Sequence, residues 1–165
     1  MQDLDAGRAA RRRPAVEFEW GLEADQFRHH TALFDPGGFF VRLREAATSL
    51  PMEAFERALA DSWFWAWQEK RSKLLAAVDA RDRPLALFLA WSFAYSAALR
   101  IALWERRPYE SLRTLWADAV ARGYGMDELV AALSSADLDR ISRAVEHVWS
   151  EIGEWGAPRP VPQGL

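Results

Sequence analysis

The chain has 165 residues, a length that suits one domain, and half of these residues are hydrophobic, so it can bury a sizeable core. Its net charge of −3, from 21 basic and 24 acidic residues, gives no global reason to expect nucleic-acid binding. The absence of cysteine excludes disulfide scaffolds, thiolate catalysis and thiolate metal sites.

The chain begins with a polar arm, residues 1–14, which carries Arg8 and the basic run 11–13. Its low hydrophobicity predicts disorder. The arm also lacks the apolar core of a signal peptide, so we expect a cytoplasmic protein.

Residues 15–20, AVEFEW, alternate between apolar and acidic side chains, which is the period of a β-strand. Such a strand places Glu17 and Glu19 on one face. That face is either the solvated surface of an edge strand or a carboxylate pair for a divalent metal or for general-base catalysis. A second short strand is predicted over 31–34, followed by a turn over 35–38. One or two strands form no independent sheet, so this β remnant needs a partner sheet.

The rest of the chain shows the spacing of amphipathic helices, and nine tryptophans favour a helical core with large side chains. Helices are predicted over residues 39–50, 51–81, 84–107, 109–122, 126–133 and 136–152. Residues expected to face the core include Phe39, Phe40, Met52, Trp63, Trp67, Leu112, Ile141 and Val145. The charged run 69–73 is interpreted as a solvated face.

These elements predict a mainly α fold, a bundle of five to six helices with a short N-terminal β remnant. The predicted divisions are a polar arm with the β remnant over 1–37, a helical bundle over 38–156 and a disordered tail over 157–165. The helix over 84–107 organises the bundle, since residues 85–99 carry no charge. A membrane span is the alternative, but it would have to absorb Arg100 and would leave the amphipathic neighbours without a core.

Two clusters could carry chemistry in the helical part. Arg140 and His147 are separated by six residues on the last helix and therefore lie on roughly one face. The pair resembles the Arg, four to six residues, His signature of HEPN ribonucleases, in which His is the acid or base and Arg stabilises developing charge. The alternative interpretation is a surface arginine and a partly buried histidine without catalytic function.

The second cluster lies in the segment WERRPYESLRTLW, residues 104–116. Arg106, Arg107, Tyr109 and Arg113 gather there at a corner between two helices. Such a cluster can grip a phosphate or an acidic partner, or it can be a polar corner with no ligand.

The order of these pieces resembles the C-terminal half of antibiotic-type nucleotidyltransferases, the kanamycin nucleotidyltransferase group. The resemblance covers residues 16–121 and rests on AVEFEW, LFDPGGFFVRLRE, a tryptophan-rich long helix and a buried helix that ends in ALWERRPYESLRTLW. It implies that a polymerase-β-like domain ends in a strand with a third catalytic carboxylate, here Glu17 or Glu19. It further implies that the bundle helps to hold the substrate, with Arg106, Arg107, Tyr109 and Arg113 at the family's corner. In that comparison Glu105 stands near the usual asparagine and Arg113 near a usual lysine.

The family's Gly-Ser loop, followed by its Asp-x-Asp metal pair, does not precede the AVEFEW segment. Without it, no site holds the magnesium and nucleoside triphosphate of nucleotidyl transfer, so these cofactors are expected only if a catalytic domain is supplied. The chain is then a fragment, a truncated gene product or a bundle that joins a separate catalytic chain.

The leading hypothesis is a substrate-binding or accessory helical domain of a nucleotidyltransferase, not catalytically competent alone. Its expected partners are a catalytic nucleotidyltransferase domain or chain, a small molecule such as an aminoglycoside, and a second copy in a homodimer. No membrane or nucleic-acid partner is expected. The alternatives are a HEPN-like RNase or antitoxin-type bundle and a plain interaction bundle.

Overall fold

The computed structural model describes residues 16–24 and 34–157, and within these ranges the chain is helical with no strand. The mainly α class is therefore confirmed. The helices are α1 (Trp20–Glu23), α2 (Phe39–Thr48), α3 (Met52–Ser62), a π-helical segment (Trp63–Gln68), α4 (Glu69–Asp79), α5 (Arg83–Glu105), α6 (Leu115–Arg122), α7 (Met126–Ser135) and α8 (Leu138–Ile152).

The N-terminal segment departs from the predicted strand. The amide of Trp20 donates to the carbonyl oxygen of Glu17 at 3.1 Å, which closes a turn that leads directly into α1. Val16 and Phe18 are buried while Glu17 and Glu19 are exposed, so the predicted separation of faces holds without a strand. The reason is that the apolar side chains pack on helices, and the described residues supply no neighbouring strand to pair with. Of the second predicted strand, only Phe34 lies within the described residues.

The long helix predicted over 51–81 is present, but its centre is widened. The residues WFWAWQ of the π-helical segment connect α3 to α4 without a break. Trp67 is fully buried and stacks between Phe93 and Trp149, with ring centroids 4.5 and 5.4 Å away. Trp63 donates from Nε1 to the carbonyl oxygen of Gly153 at 2.9 Å. The segment thus turns two tryptophans toward α5 and α8, as their spacing predicted.

Helix α5 is the centre of the core. Its start is fixed by Asp82, whose carboxylate accepts from the amide of Leu85 at 3.2 Å, and by Pro84 in the first turn. The helix is long and apolar enough to span a bilayer, yet 61% of its most apolar stretch is buried by the rest of the chain. That extent of burial favours the bundle helix over the membrane span.

Arg100 lies inside this core on α5 and is fully buried. Its guanidinium donates to the carbonyl oxygens of Trp155 and of Leu59, the latter at 3.4 Å, and lies 5.1 Å from the ring of Trp67. Burial lowers the pKa of Arg100 to about 9. The arginine is therefore held by main-chain oxygens and an aromatic face.

Helix α2 differs in its packing from the other helices that the structure describes. Its start is well defined, because the carboxylate of Asp35 accepts from the amides of Phe39 and Phe40 at 2.6 and 2.9 Å. Among the described elements, however, α2 packs against no other helix. The two phenylalanines are 58% and 42% exposed, so the prediction that they face the core is wrong for this part of the chain.

The remaining helices follow the prediction, except that one of them begins later in the chain than expected. The helix expected from residue 109 begins only at Leu115, and residues 108–114 form an irregular corner. Leu112 is consequently 68% exposed and not part of the core; Met52, on α3, is also exposed. In α8 the apolar stripe of Ile141 and Val145 is buried as predicted, and Asp137 caps its first turn.

Candidate functional site

The N-terminal segment is seated on α5 by close backbone contacts. A Cβ atom on Gly21 would lie 2.6 Å from the Cβ of Ala102, so only glycine fits there. The carbonyl oxygen of Gly21 accepts from the amide of Tyr109 at 2.7 Å, and the ring of Trp20 meets Phe55 edge-on at 4.7 Å. Glu19, the residue before α1, is therefore exposed but attached to a rigid support.

A lysine of α4 and a serine of α5 form a hydrogen-bonded pair between the two helices. The ammonium of Lys70 donates to the hydroxyl of Ser96 at 2.8 Å, and this hydroxyl donates to the carbonyl oxygen of Ser92 at 3.1 Å. Burial lowers the pKa of Lys70, and the nearby Glu19 carboxylate partly opposes this shift. Burial raises the pKa of Tyr95, and Glu19 and Glu23 add to that rise.

The predicted corner is built around a buried tyrosine. Tyr109 is fully buried, and its hydroxyl donates to the carbonyl oxygen of Ala98 at 2.8 Å. Burial raises the pKa of Tyr109 well above its usual value. The guanidinium of Arg122 lies 4.0 Å from the Tyr109 ring and donates to the carbonyl oxygens of Arg107 and Pro108 at 2.8 and 3.1 Å. Glu105 completes the arrangement 3.4 Å from Arg122.

The three other predicted corner residues have a different environment. Arg106, Arg107 and Arg113 are exposed, and within residues 16–24 and 34–157 their side chains make no hydrogen bond or ion pair. Arg106 ends α5 in the left-handed conformation, with φ of 53°. The corner thus combines a buried anchor, Tyr109, with exposed cations that are available to an anionic group.

His147 contacts a carboxylate that lines the same groove as Arg140. His147 Nδ1 lies 3.0 Å from Glu128 Oε2, and this contact raises the pKa of His147. Arg140 lines a groove of about 310 Å³ between α7 and α8, together with Glu128, Asp127 and Arg143. Of the two residues of the HEPN-like pattern, His147 contacts Glu128 on the neighbouring helix, and Arg140 lines the same groove as Glu128.

The described residues contain no group of three or more metal-ligating side chains that could hold an ion. Glu17 and Glu19 are exposed on their segment without a third ligand nearby in this part of the chain. The residues that the structure describes therefore do not fit a magnesium ion.

The family model of the KNTase C-terminal domain matches residues 37–160. The chain belongs to this family. The resemblance to the C-terminal helical domain of kanamycin nucleotidyltransferase-like proteins is thereby confirmed. No curated protein matches the chain.

The residues matched by the KNTase C-terminal domain extend further toward the C-terminus than the residues on which the resemblance rests. The resemblance ended near residue 121, whereas the family match includes α7 and α8. The match also begins after the AVEFEW segment, so Glu17 and Glu19 lie outside it. The roles of all the candidate site residues stay predictions.

Two residues of this KNTase C-terminal domain, Lys70 and Arg122, contact the predicted site region or its supporting helices but are not among the residues that the sequence predicts for the site. Lys70 belongs to the charged run 69–73, which was interpreted as solvated, but it lies three residues after the buried Trp67 and so shares its side of the helix. Arg122 is the last residue of α6, and no sequence pattern distinguishes it from a surface cation. The spacing from Trp67 was the available signal for Lys70.

Proposed function

We propose that this chain is the substrate-binding or accessory helical domain of a nucleotidyltransferase and that it works with a catalytic domain or chain. The observation that carries this proposal is the match of the KNTase C-terminal domain over residues 37–160. A domain of this family implies association with a catalytic nucleotidyltransferase domain. The exposed arginines of the corner and the acidic N-terminal segment support a binding role.

We also propose that this chain does not catalyse nucleotidyl transfer without a catalytic domain. Two Asp-x-Asp spacings do occur, at Asp3 with Asp5 and at Asp137 with Asp139, but no Gly-Ser dipeptide precedes either. Asp3 and Asp5 lie outside the described residues. Asp137 is committed to a helix cap, because its carboxylate accepts from the amides of Asp139 and Arg140 at 3.0 and 3.1 Å.

Charge supports a division of roles between the two ends of the proposed site. Glu17, Glu19 and Glu23 are exposed carboxylates that would attract a polycationic small molecule such as an aminoglycoside. Arg106 and Arg107 are exposed cations that would attract the phosphates of a nucleoside triphosphate. Magnesium would enter with the catalytic domain.

The test is reconstitution. The catalytic part to be tested is one with a Gly-Ser loop and an Asp-x-Asp pair, searched for in the reading frame upstream of the Met1 codon and in the neighbouring genes. We expect the two parts together, with magnesium, ATP and a panel of aminoglycosides, to give adenylylated product that neither part gives alone. A catalytic part with its Asp-x-Asp aspartates changed to asparagine is the matched control. Absence of binding to any nucleotide, drug or catalytic partner contradicts the proposal.

A HEPN-like ribonuclease is the second candidate, favoured by the contact between His147 and Glu128 beside the Arg140 groove. It predicts that the chain cleaves RNA and that His147→Ala and Arg140→Ala abolish cleavage. Ser150→Ala is the matched control, since Ser150 lies on the same helix and donates to the His147 carbonyl oxygen. Cleavage that is unchanged in His147→Ala excludes this candidate.

A further inference from the structure

Trp104, in the last turn of α5, is a large aromatic residue that the fold leaves half exposed. It is 49% exposed, although its indole stacks on that of Trp155 with ring centroids 4.4 Å apart and 8° between the ring planes. Because Trp155 covers one face of Trp104, the exposed part is the opposite face and the ring edge. Within residues 16–24 and 34–157, no second aromatic ring covers that face, so it can receive the flat ring of a ligand.

The ring beneath Trp104 is firmly held. Tyr124 meets Trp155 edge-on, with ring centroids 5.2 Å apart, and the carbonyl oxygen of Trp155 accepts a hydrogen bond from the buried guanidinium of Arg100. Trp104 itself belongs to α5, the centre of the core. The stacked pair is therefore a preorganised surface, and a ligand ring that adds to the stack costs the protein little conformational freedom.

The turn that supplies Tyr124 is strained. Tyr124 has a φ of 57° and stands between Gly123 and Gly125, whose φ values are 90° and 74°. A bulky side chain rarely adopts this left-handed conformation, and such strain is concentrated at binding and active sites. The Tyr124 hydroxyl also donates to the Glu105 carboxylate at 3.2 Å. The strained residue thus connects the stacked tryptophans to the corner that follows α5.

Exposed cations follow Trp104 directly in the chain. The side chains of Arg106 and Arg107 make no hydrogen bond or ion pair in the part of the chain that the structure describes. Their main chain is fixed, because the amide of Arg107 donates to the carbonyl oxygen of Ala102 at 3.0 Å and its carbonyl oxygen accepts from Arg122 at 2.8 Å. Three residues span at most about 11 Å, so both guanidiniums can reach an anionic group attached to a ring on Trp104.

We propose that Trp104 is the stacking platform for the base of a nucleotide whose phosphates lie against Arg106 and Arg107. An indole face stacks with any nucleobase, and guanidinium groups match the geometry of phosphate oxygens. The ligand chemistry is thus a flat heteroaromatic ring that carries phosphate. The catalytic meaning of this assignment rests on the proposed function, whereas binding itself needs only this chain.

The test separates the ring from the phosphates. Calorimetric titration of the full chain with ATP and with inorganic tripolyphosphate is expected to show tighter binding of ATP. Trp104→Ala should weaken ATP binding by about tenfold and leave tripolyphosphate binding unchanged, since only the stacking contact is lost. Trp104→Phe should keep part of the preference, and Arg107→Ala should weaken both ligands. Trp91→Ala is the matched control, because Trp91 is also on α5 and 41% exposed but contacts Trp116.

A second measurement on the unaltered chain does not depend on how a variant folds. ATP is expected to shift the NMR resonance of the Trp104 indole N–H, assigned by its loss in Trp104→Phe, and tripolyphosphate to leave the ring resonances in place. A chain that binds no ATP, equal affinities for ATP and tripolyphosphate, or equal losses in Trp104→Ala and Trp91→Ala overturn the inference. Trp104-dependent binding without adenylyl transfer on reconstitution supports it and contradicts the proposed function. Transfer with unchanged ATP binding in Trp104→Ala overturns it and leaves the proposed function intact.

Discussion

The hydroxyl of Tyr109 donates a hydrogen bond of 2.8 Å to the carbonyl oxygen of Ala98, which lies 11 residues earlier in the chain and is buried in the core. This contact joins the corner after α5 to the body of α5. The same tyrosine holds the N-terminal segment through its amide and the carbonyl oxygen of Gly21. Tyr109 thus connects two parts of the chain that carry candidate site residues, the corner and the segment of Glu19.

Removing the Tyr109 hydroxyl should therefore reduce stability. We expect Tyr109→Phe to lower the free energy of unfolding by about 1 kcal/mol, since one buried hydrogen bond is lost and the ring stays in place. Urea denaturation measures the change. Tyr124→Phe is the control, because the Tyr124 hydroxyl contacts Glu105 at 3.2 Å at a less buried position and should cost less. Equal losses in the two variants would contradict this account of the corner.

Gly21 offers a test of how the N-terminal segment is seated. We expect Gly21→Ala to destabilise the chain by about 1–3 kcal/mol, because its Cβ would lie 2.6 Å from the Cβ of Ala102. Gly37→Ala is the matched control, since a Cβ at Gly37 meets nothing within 4 Å. Thermal or urea unfolding gives the comparison. If the two variants are equally stable, the close approach of α1 to α5 is not present in solution.

His147 should show a pH-dependent contact with Glu128. The carboxylate raises the pKa of His147, so the contact stabilises the fold fully below the unfolded histidine value of about 6.5. That contribution is lost as the pH rises through the higher value of the folded protein. Because both side chains are largely exposed, the effect on stability is small.

NMR titration of the His147 ring measures this contact directly. We expect Glu128→Gln to lower the pKa of His147. Glu146→Gln, on the same helix but engaged with Arg71, should leave it unchanged. An unaltered His147 titration in Glu128→Gln would show that the two side chains do not meet.

The packing of α2 predicts that this helix tolerates the loss of a large apolar side chain. We expect Phe39→Ser to change the free energy of unfolding by less than about 0.5 kcal/mol, since α2 packs against no other helix in the described part of the chain. Phe93→Ser, in the core beside Trp67, should cost several times more. A large loss in Phe39→Ser would mean that α2 packs on the protein in solution.

The sequence was sufficient for the helical class, the position of the central helix and the stripe on α8, because periodic apolar spacing determines which face of a helix is buried. The sequence was insufficient for residues 16–20, because alternating apolar and acidic side chains lie on opposite faces of a turn as well as of a strand. Leu112 had helical spacing, but Pro108 and the Ser111–Thr114 contacts delay the start of α6. The hydrogen bond between Lys70 and Ser96 joins two distant parts of the chain, which local periodicity does not reveal.

Arg100 has a consequence for how the protein is made. Its guanidinium donates to the carbonyl oxygens of Leu59 and Trp155, two residues that a ribosome adds to the chain far apart in time. Until Trp155 has emerged, the bundle would have to enclose a cation without its second acceptor, which is energetically costly. The nascent chain therefore gains its native core only when nearly all of the described sequence has left the exit tunnel, so a ribosome stalled before Trp155 should carry a chain that proteases readily cleave.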